Sequence, residues 1–138
     1  MRNPHVENRA ALFEAFGRFI DTLHGRFIIA VDSGTSTLDM DCIAQSTPHV
    51  TSTTASGDPS PHAAMGVFAG IRATTSFRLG SDDLRGLRVA VQGLGNVGYA
   101  LAEQLHAVGA ELLVSDLDPG RVRLAMEQFD AKPVTTMR

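Results

Sequence analysis

Three glycines and one acid give this chain its clearest chemical signal. Gly93, Gly95 and Gly98 form a Gly-x-Gly-x-x-Gly pattern directly after the apolar run Arg88-Val89-Ala90-Val91-Gln92. A dinucleotide-binding turn needs this pattern: one glycine for the tight turn, one for backbone approach to a pyrophosphate, and one for close packing of the next helix. Asp116 follows a second apolar run about 20 residues later, where a carboxylate that binds a ribose is expected. The spacing therefore predicts a nucleotide site, with a βαβ unit that binds nothing as the alternative.

Two further side chains are candidates for acid/base chemistry. Asp32 follows the apolar run Phe27-Ile28-Ile29-Ala30-Val31, which predicts a buried strand, and strand ends are common sites in α/β folds. A carboxylate that only caps the next turn is an equally good interpretation. His62 lies in the first turn of a predicted helix, where the helix dipole favours the neutral imidazole. A lone histidine is more often structural than catalytic.

The elements that would position these residues alternate between helices and strands. The predicted fold is therefore α/β, a three-layer αβα arrangement with a short, mainly parallel, Rossmann-like sheet and Val89–Gln92 at its centre. Predicted helices cover residues 3–23, with Asn3 as cap and Pro4 in the first turn, a short stretch after Ser36, and residues 61–79, 97–107 and 121–129; further strands are predicted at 49–51, 111–115 and 131–135. In the short helix, Asp39 and Asp41 are interpreted as a solvated face.

Composition excludes several classes of function. The chain has 138 residues, a net charge of −3 and no long basic run, which argues against a nucleic-acid partner. No apolar run reaches membrane-spanning length, and we expect no membrane partner and no secretory leader. The single cysteine, Cys42, excludes an internal disulfide and a cysteine-rich metal site. These features favour a cytoplasmic protein without a metal.

Several segments together resemble a known family. They are residues 13–20 (FEAFGRFI), 25–28 (GRFI), 32–35 (DSGT), 39–41 (DMD), 57–61 (GDPSP) and 91–98 (VQGLGNVG), followed by Asp116. In this order they resemble the glutamate/leucine/phenylalanine/valine dehydrogenases, most closely the leucine and valine enzymes. The family carries out reversible, NAD(P)-dependent oxidative deamination of L-amino acids.

The resemblance implies roles for individual residues. Asp32 matches the family's catalytic aspartate, and Asp116 matches the acid that binds the adenine ribose in NAD-preferring members. The nucleotide turn is matched by Gly93, Gly95, Asn96, Val97 and Gly98. The implied organisation is one domain made of two parts, residues 1–58 from the end of the substrate domain and residues 59–138 from the first part of the nucleotide-binding domain.

The chain also departs from the family pattern. It is shorter than the family's members at both ends and starts after the segment that carries their substrate-binding and catalytic lysines; its one lysine is Lys132. We therefore expect weak or lost NAD binding and no stand-alone dehydrogenase activity. The alternatives are a repurposed, redox-independent enzyme that uses Asp32 and His62 on a small-molecule substrate, for example in natural-product biosynthesis, and a non-catalytic interaction protein.

A last expectation concerns assembly. An apolar stripe along the first predicted helix would remain uncovered in so short a chain, and exposed apolar surface favours self-association. The predicted state is a homodimer, with a stripe formed by Phe13, Phe16, Phe19 and Ile20.

Overall fold

The computed structural model describes residues 8–135. They form two compact units, Met1–Pro59 and Ser60–Arg138. The helix cap predicted at Asn3 and Pro4 lies outside the described residues. In chain order the elements are α1 (Arg9–Asp21), α2 (Thr37–Ala44), α3 (Ser60–Leu79), β1 (Arg88–Gln92), α4 (Asn96–Ala107), β2 (Glu111–Ser115), α5 (Pro119–Phe129) and β3 (Lys132–Pro133).

The first unit is built around the crossing of α1 and α2. The helices approach closely because Gly17 has no side chain: a Cβ there would lie 2.7 Å from the Ile43 carbonyl oxygen. Ile43 and Ile20 are fully buried at this crossing. The predicted apolar stripe of α1 is therefore only partly uncovered, since Ile20 packs inward while Phe19 stays 57% exposed.

The strand predicted at Phe27–Val31 does not form. Among the described residues this segment makes only one parallel bridge, between Ile29 and Val50, and Ile28 is 63% exposed. A strand needs a paired neighbour along its length, and one bridge supplies two backbone hydrogen bonds, from Ile29 to His49 and from Thr51 to Ile29. An apolar run with strong β propensity therefore remains an extended segment.

The second unit has a parallel sheet in the order β1-β2-β3. This confirms the predicted α/β class with a short parallel sheet. The prediction of Val89–Gln92 as the central strand is wrong for the described residues, because β2 lies between the other two strands. Pro133 suits β3 because a strand at a sheet edge tolerates a residue without an N–H donor.

Helices α4 and α5 cover one face of this sheet, and α3 packs on α4. The register pairs Val91 with Val114 and Val89 with Leu112, so these side chains share the covered face. They form one core with apolar side chains of all three helices, including Ala64, Leu101, Leu105, Ala125 and Phe129. This packing fixes the carboxyl ends of β1 and β2 side by side, where the glycine pattern and Asp116 follow.

Candidate functional site

The turn between β1 and α4 contains the whole glycine pattern. Gly93 has a φ of +90°, which a residue with a side chain adopts only at a cost. Its N–H donates to the Ser115 carbonyl oxygen at 2.7 Å, so the turn continues the ladder between β1 and β2 by one bond. Gly95 is the N-cap of α4 and supplies no side-chain oxygen to the first amides of the helix. The amino end of α4 is thus a place where an anion can meet backbone N–H groups.

Gly98 is required by packing at this turn. A Cβ at position 98 would lie 1.9 Å from the Gly93 carbonyl oxygen and 3.0 Å from its carbonyl carbon. Real atoms do not approach so closely, and only glycine lets the first turn of α4 lie against the end of β1. The residue therefore shapes the turn, whether or not a ligand is bound.

Asp116 follows β2 and is tied to the glycine turn. Its Oδ2 accepts the Leu94 N–H at 2.5 Å, and its Oδ1 accepts the Asp118 N–H at 2.8 Å. Partial burial by itself raises the pKa of Asp116, but these backbone donors and the charge of Arg121 outweigh it and lower the pKa overall. The structure therefore holds an ionised carboxylate beside the turn.

Arg121 is a residue of this site that sequence reasoning missed. It lies in the first turn of α5, and its Nη1 would be 3.7 Å from a Cβ on Gly95. The available signal was a basic residue at the start of the helix that follows the acidic strand end.

Asn96 and Val97 open α4 and lie next to the glycines in the same turn. The predicted nucleotide residues Gly93, Gly95, Asn96, Val97, Gly98 and Asp116 are thus brought together by the β1–α4 turn and the end of β2. Their role in binding stays a prediction.

Asp32 lies in the first unit, in a tight turn of its own. Its side-chain oxygen accepts the Ser33 N–H at 2.7 Å, its N–H donates to the Thr35 Oγ1 at 2.8 Å, and its carbonyl oxygen accepts the Thr35 N–H at 3.0 Å. Asp32 is exposed. His62 belongs to the second unit and is exposed in the first turn of α3. The structure leaves the catalytic role of both residues a prediction.

An ion pair between the half-buried Arg9 and the buried Asp39 anchors the segment that contains Asp32. The prediction that Asp39 lies on a solvated face is wrong. Its carboxylate accepts hydrogen bonds from Arg9 Nε at 2.7 Å and Nη2 at 2.9 Å. Arg9 also donates to the Gly34 carbonyl oxygen at 2.6 Å. The Arg9 hydrogen bonds lower the pKa of Asp39 against the opposing effect of burial, and Ser36 adds further donors.

The second acid of α2 also has a specific partner. Asp41 accepts hydrogen bonds from the N–H of Thr54 at 3.0 Å and from its Oγ1 at 2.8 Å. Both acids of this helix thus hold neighbouring segments in place, and neither is only a solvated charge.

The second unit also has an open cavity of about 650 Å³ away from the glycine turn. Its lining residues include Leu84 and Gly109, which precede β1 and β2, so the cavity lies near the amino ends of the strands. Arg72 and Arg85 also line it, and Arg72 pairs with Asp82. Because ligands of parallel α/β sheets bind at the carboxyl ends of the strands, this cavity does not coincide with the predicted site.

The described residues contain neither a cluster of metal-binding side chains nor a helix suited to cross a membrane. No group of three or more His, Cys, Asp or Glu is placed to hold a metal ion between residues 8 and 135. In the same range, every helix is too short or too polar for a transmembrane span.

Comparison with curated proteins places the chain among dehydrogenase sequences. No family model matches it. It is 47% identical over 136 residues to a leucine dehydrogenase of Geobacillus stearothermophilus, covering 96% of this chain and 37% of that protein. It is 44% identical over 124 residues to an L-tryptophan dehydrogenase of Nostoc punctiforme, covering 89% and 35%. The chain thus spans little more than a third of the curated relatives it matches.

Solved structures support the same assignment. The crystal structure of L-tryptophan dehydrogenase from Nostoc punctiforme matches with a TM-score of 0.63 and 41% identity, over 91% of this chain and 35% of that one. A hetero-hexameric glutamate dehydrogenase from Thermus thermophilus matches with a TM-score of 0.62, over 96% of this chain and 38% of that one. At 24% identity the second match supports the fold alone.

Proposed function

Because the chain belongs, over the segment that it contains, to the glutamate/leucine/phenylalanine/valine dehydrogenase family, we propose that it binds NAD(H) at the β1–α4 turn. The observation that carries the proposal is the turn Gly93–Gly98 joined to an ionised Asp116 through the Leu94 N–H. This bond fixes the distance between the helix terminus that would bind the diphosphate and the carboxylate that would bind the ribose.

The local geometry fits the adenosine half of such a cofactor. Between residues 8 and 135, the Arg121 guanidinium at 3.7 Å is the one group within 4 Å of a Cβ built on Gly95. A diphosphate can therefore approach the backbone of the turn. The Asp116 carboxylate accepts backbone N–H groups of Leu94 and Asp118, and its two oxygens have about four lone-pair sites, so acceptor capacity remains for a ribose hydroxyl. When bound, the nicotinamide supplies hydride-transfer chemistry.

We infer a preference for NADH over NADPH from the same carboxylate. The negative charge of Asp116 repels the 2′-phosphate of NADPH, whereas the carboxylate can accept a hydrogen bond from the ribose hydroxyl of NADH. Asp116→Asn is therefore expected to reduce the ratio of the two affinities. The matched control is Asp130→Asn: Asp130 is exposed at the far end of α5 in a left-handed conformation that asparagine also adopts.

Isothermal titration calorimetry tests the binding proposal. NADH is expected to bind, with NADPH binding more weakly. Tighter binding of NADPH would contradict the preference. An absence of heat with both nucleotides at millimolar concentration would contradict the binding proposal itself.

For the whole protein we propose oxidative deamination of an L-amino acid. The support is the likeness to leucine and tryptophan dehydrogenases over nearly all of this segment. In this reaction Asp32 would exchange a proton with the substrate amine or with water, as a general base. Asp32→Asn is expected to abolish turnover of a full-length protein while leaving NADH affinity unchanged. An unchanged turnover rate in this variant would show that the aspartate is structural.

We further propose that the chain forms a homodimer through α1. Phe19 stays 57% exposed and stacks on Phe16 with ring centroids 6.3 Å apart, so the helix presents an apolar surface. Light scattering should give twice the 14.7 kDa of one chain, and Phe19→Ser should reduce it to one. The control Phe77→Ser, on the exposed side of α3, should leave the mass unchanged. A monomer in the unaltered protein would refute this part.

A further inference from the structure

Arg121 places a cation beside the glycine turn. Its Nη1 would be 3.7 Å from a Cβ on Gly95, the N-cap of α4. Gly95 is the glycine of the pattern whose missing side chain admits a diphosphate. The guanidinium therefore borders the space that the phosphates of a bound dinucleotide would occupy.

The ion pair that Arg121 makes within the described residues is weak. Its Nε lies 3.8 Å from Asp118 Oδ2, which is too long for a hydrogen bond, and both side chains are more than half exposed. Asp118 is already engaged as the N-cap of α5, where its Oδ1 accepts the Gly120 N–H at 2.8 Å. A guanidinium has five N–H donors, so Arg121 keeps donor capacity for an anionic ligand.

The site carries one side chain of each charge, at two neighbouring positions. Asp116 lies at the end of β2 and has its oxygens turned to the backbone of Leu94 and Asp118. Arg121 lies near Gly95, at the amino end of α4, and its charge also reaches Asp116, whose pKa it lowers. A negative ribose-binding group and a positive group at the phosphate turn are complementary to a dinucleotide that carries its charge on the diphosphate.

We propose that Arg121 binds the diphosphate of the dinucleotide and adds a charge-assisted contact to the amides of α4. This inference rests on the proposed NAD(H) binding and assigns that site a phosphate-binding side chain on the second helix of the unit. A planar guanidinium can donate two parallel hydrogen bonds to phosphate oxygens, which a lysine ammonium cannot reproduce.

The test compares Arg121→Gln and Arg121→Lys with the control Arg123→Gln. Arg123 is exposed two residues further along α5, on a different side of the helix. Calorimetry with NADH and NADPH is expected to show both dissociation constants raised about tenfold in Arg121→Gln, the usual effect of losing a charged hydrogen bond. Arg121→Lys should recover only part of this loss, and Arg123→Gln should bind as the unaltered protein does.

The dependence of NADH affinity on salt concentration provides an independent test. Loss of a phosphate contact should make NADH binding by Arg121→Gln less sensitive to salt than binding by the unaltered protein. Thermal unfolding of both glutamine variants should match the unaltered protein, since the ion pair of Arg121 with Asp118 is exposed and such pairs add little stability.

The outcomes separate this inference from the proposed function. If the unaltered protein binds NADH and Arg121→Gln binds it equally well, only the role of Arg121 is overturned. A loss confined to NADPH would also overturn it, because the contact would then be to the 2′-phosphate. If the unaltered protein binds neither nucleotide at millimolar concentration, both the inference and the proposed function are wrong.

Discussion

Replacing Gly98 by alanine tests whether the glycine turn has the geometry that nucleotide binding requires. The new Cβ would lie 1.9 Å from the Gly93 carbonyl oxygen. Ordinary contacts of this kind are about 3.4 Å or longer, so the turn or the start of α4 has to move by more than about 1 Å. The Gly93 carbonyl is backbone and the alanine Cβ is bonded directly to the backbone of α4, so neither can rotate away as a flexible side chain would.

The expected magnitude follows from two opposing terms. Overpacking of this kind costs about 1–3 kcal/mol. The higher helix propensity of alanine offsets up to about 1 kcal/mol of this cost. Because neither group in this contact can yield, the cost lies in the upper part of its range, about 2–3 kcal/mol, and the second unit should be destabilised by about 1–2 kcal/mol. NADH affinity should fall by at least about tenfold, because the displaced turn no longer presents the α4 amides together.

Gly70→Ala is the matched control. Gly70 also lies inside a helix, α3, but a Cβ there meets nothing within 4 Å. This variant should be more stable than the unaltered protein by about 0.5–1 kcal/mol, and its NADH affinity should be unchanged. Urea unfolding followed by circular dichroism, with calorimetry for NADH, measures both effects. If Gly98→Ala matched the unaltered protein in stability and affinity, the close packing of Gly98 on Gly93 would be refuted.

Three further predictions concern buried contacts and charge. Gly17→Ala should lower the urea midpoint of the first unit, because its Cβ would lie 2.7 Å from the Ile43 carbonyl oxygen, and an unchanged midpoint would contradict the close helix crossing. The Arg9 hydrogen bonds keep the pKa of Asp39 low, so the unaltered protein should lose stability as the pH falls below about 4, the ordinary range of a free aspartate. Asp39 also accepts the N–H of Ser36, the N-cap of α2, in a capping box. Asp39→Ala should therefore cost about 1–2 kcal/mol at neutral pH, as the loss of a helix cap does, and should remove that acid-dependent loss; an equally acid-sensitive variant would show that other groups cause it. The donors around Asp116 keep its pKa low, so calorimetry should show the same NAD⁺ affinity at pH 8 as at about pH 5, and a marked loss by about pH 5 would contradict an ionised carboxylate.

Local patterns predicted most of the second unit. The apolar runs of β1 and β2 and the helical spacing of α4 each depend on neighbouring residues, and the observed bounds lie within one or two residues of the predicted ones. The glycines also predicted where the chain turns, because the positive φ of Gly93 and the close approach at Gly98 exclude other residue types.

Features that depend on distant residues were not predictable. The pairing of Arg9 with Asp39 spans 30 positions, and nothing in either local pattern indicates it. The segment Phe27–Val31 has strand propensity but finds only one bridge, since pairing is decided by what lies beside it. The sequence does not identify Arg121 as a site residue, because its position near Gly95 depends on the packing of α5 against α4.

The measurement that tests the central proposal most directly is a titration of the ¹⁵N-labelled protein with NADH, followed by amide chemical shifts. We expect the largest shifts on the amides of the β1–α4 turn, Gly93 to Gly98, and on Asp116 at the end of β2. Smaller changes should reach Arg121 at the start of α5. Unchanged turn amides at millimolar NADH, or shifts centred on the cavity around Arg72 at the opposite ends of the strands, would contradict the proposal.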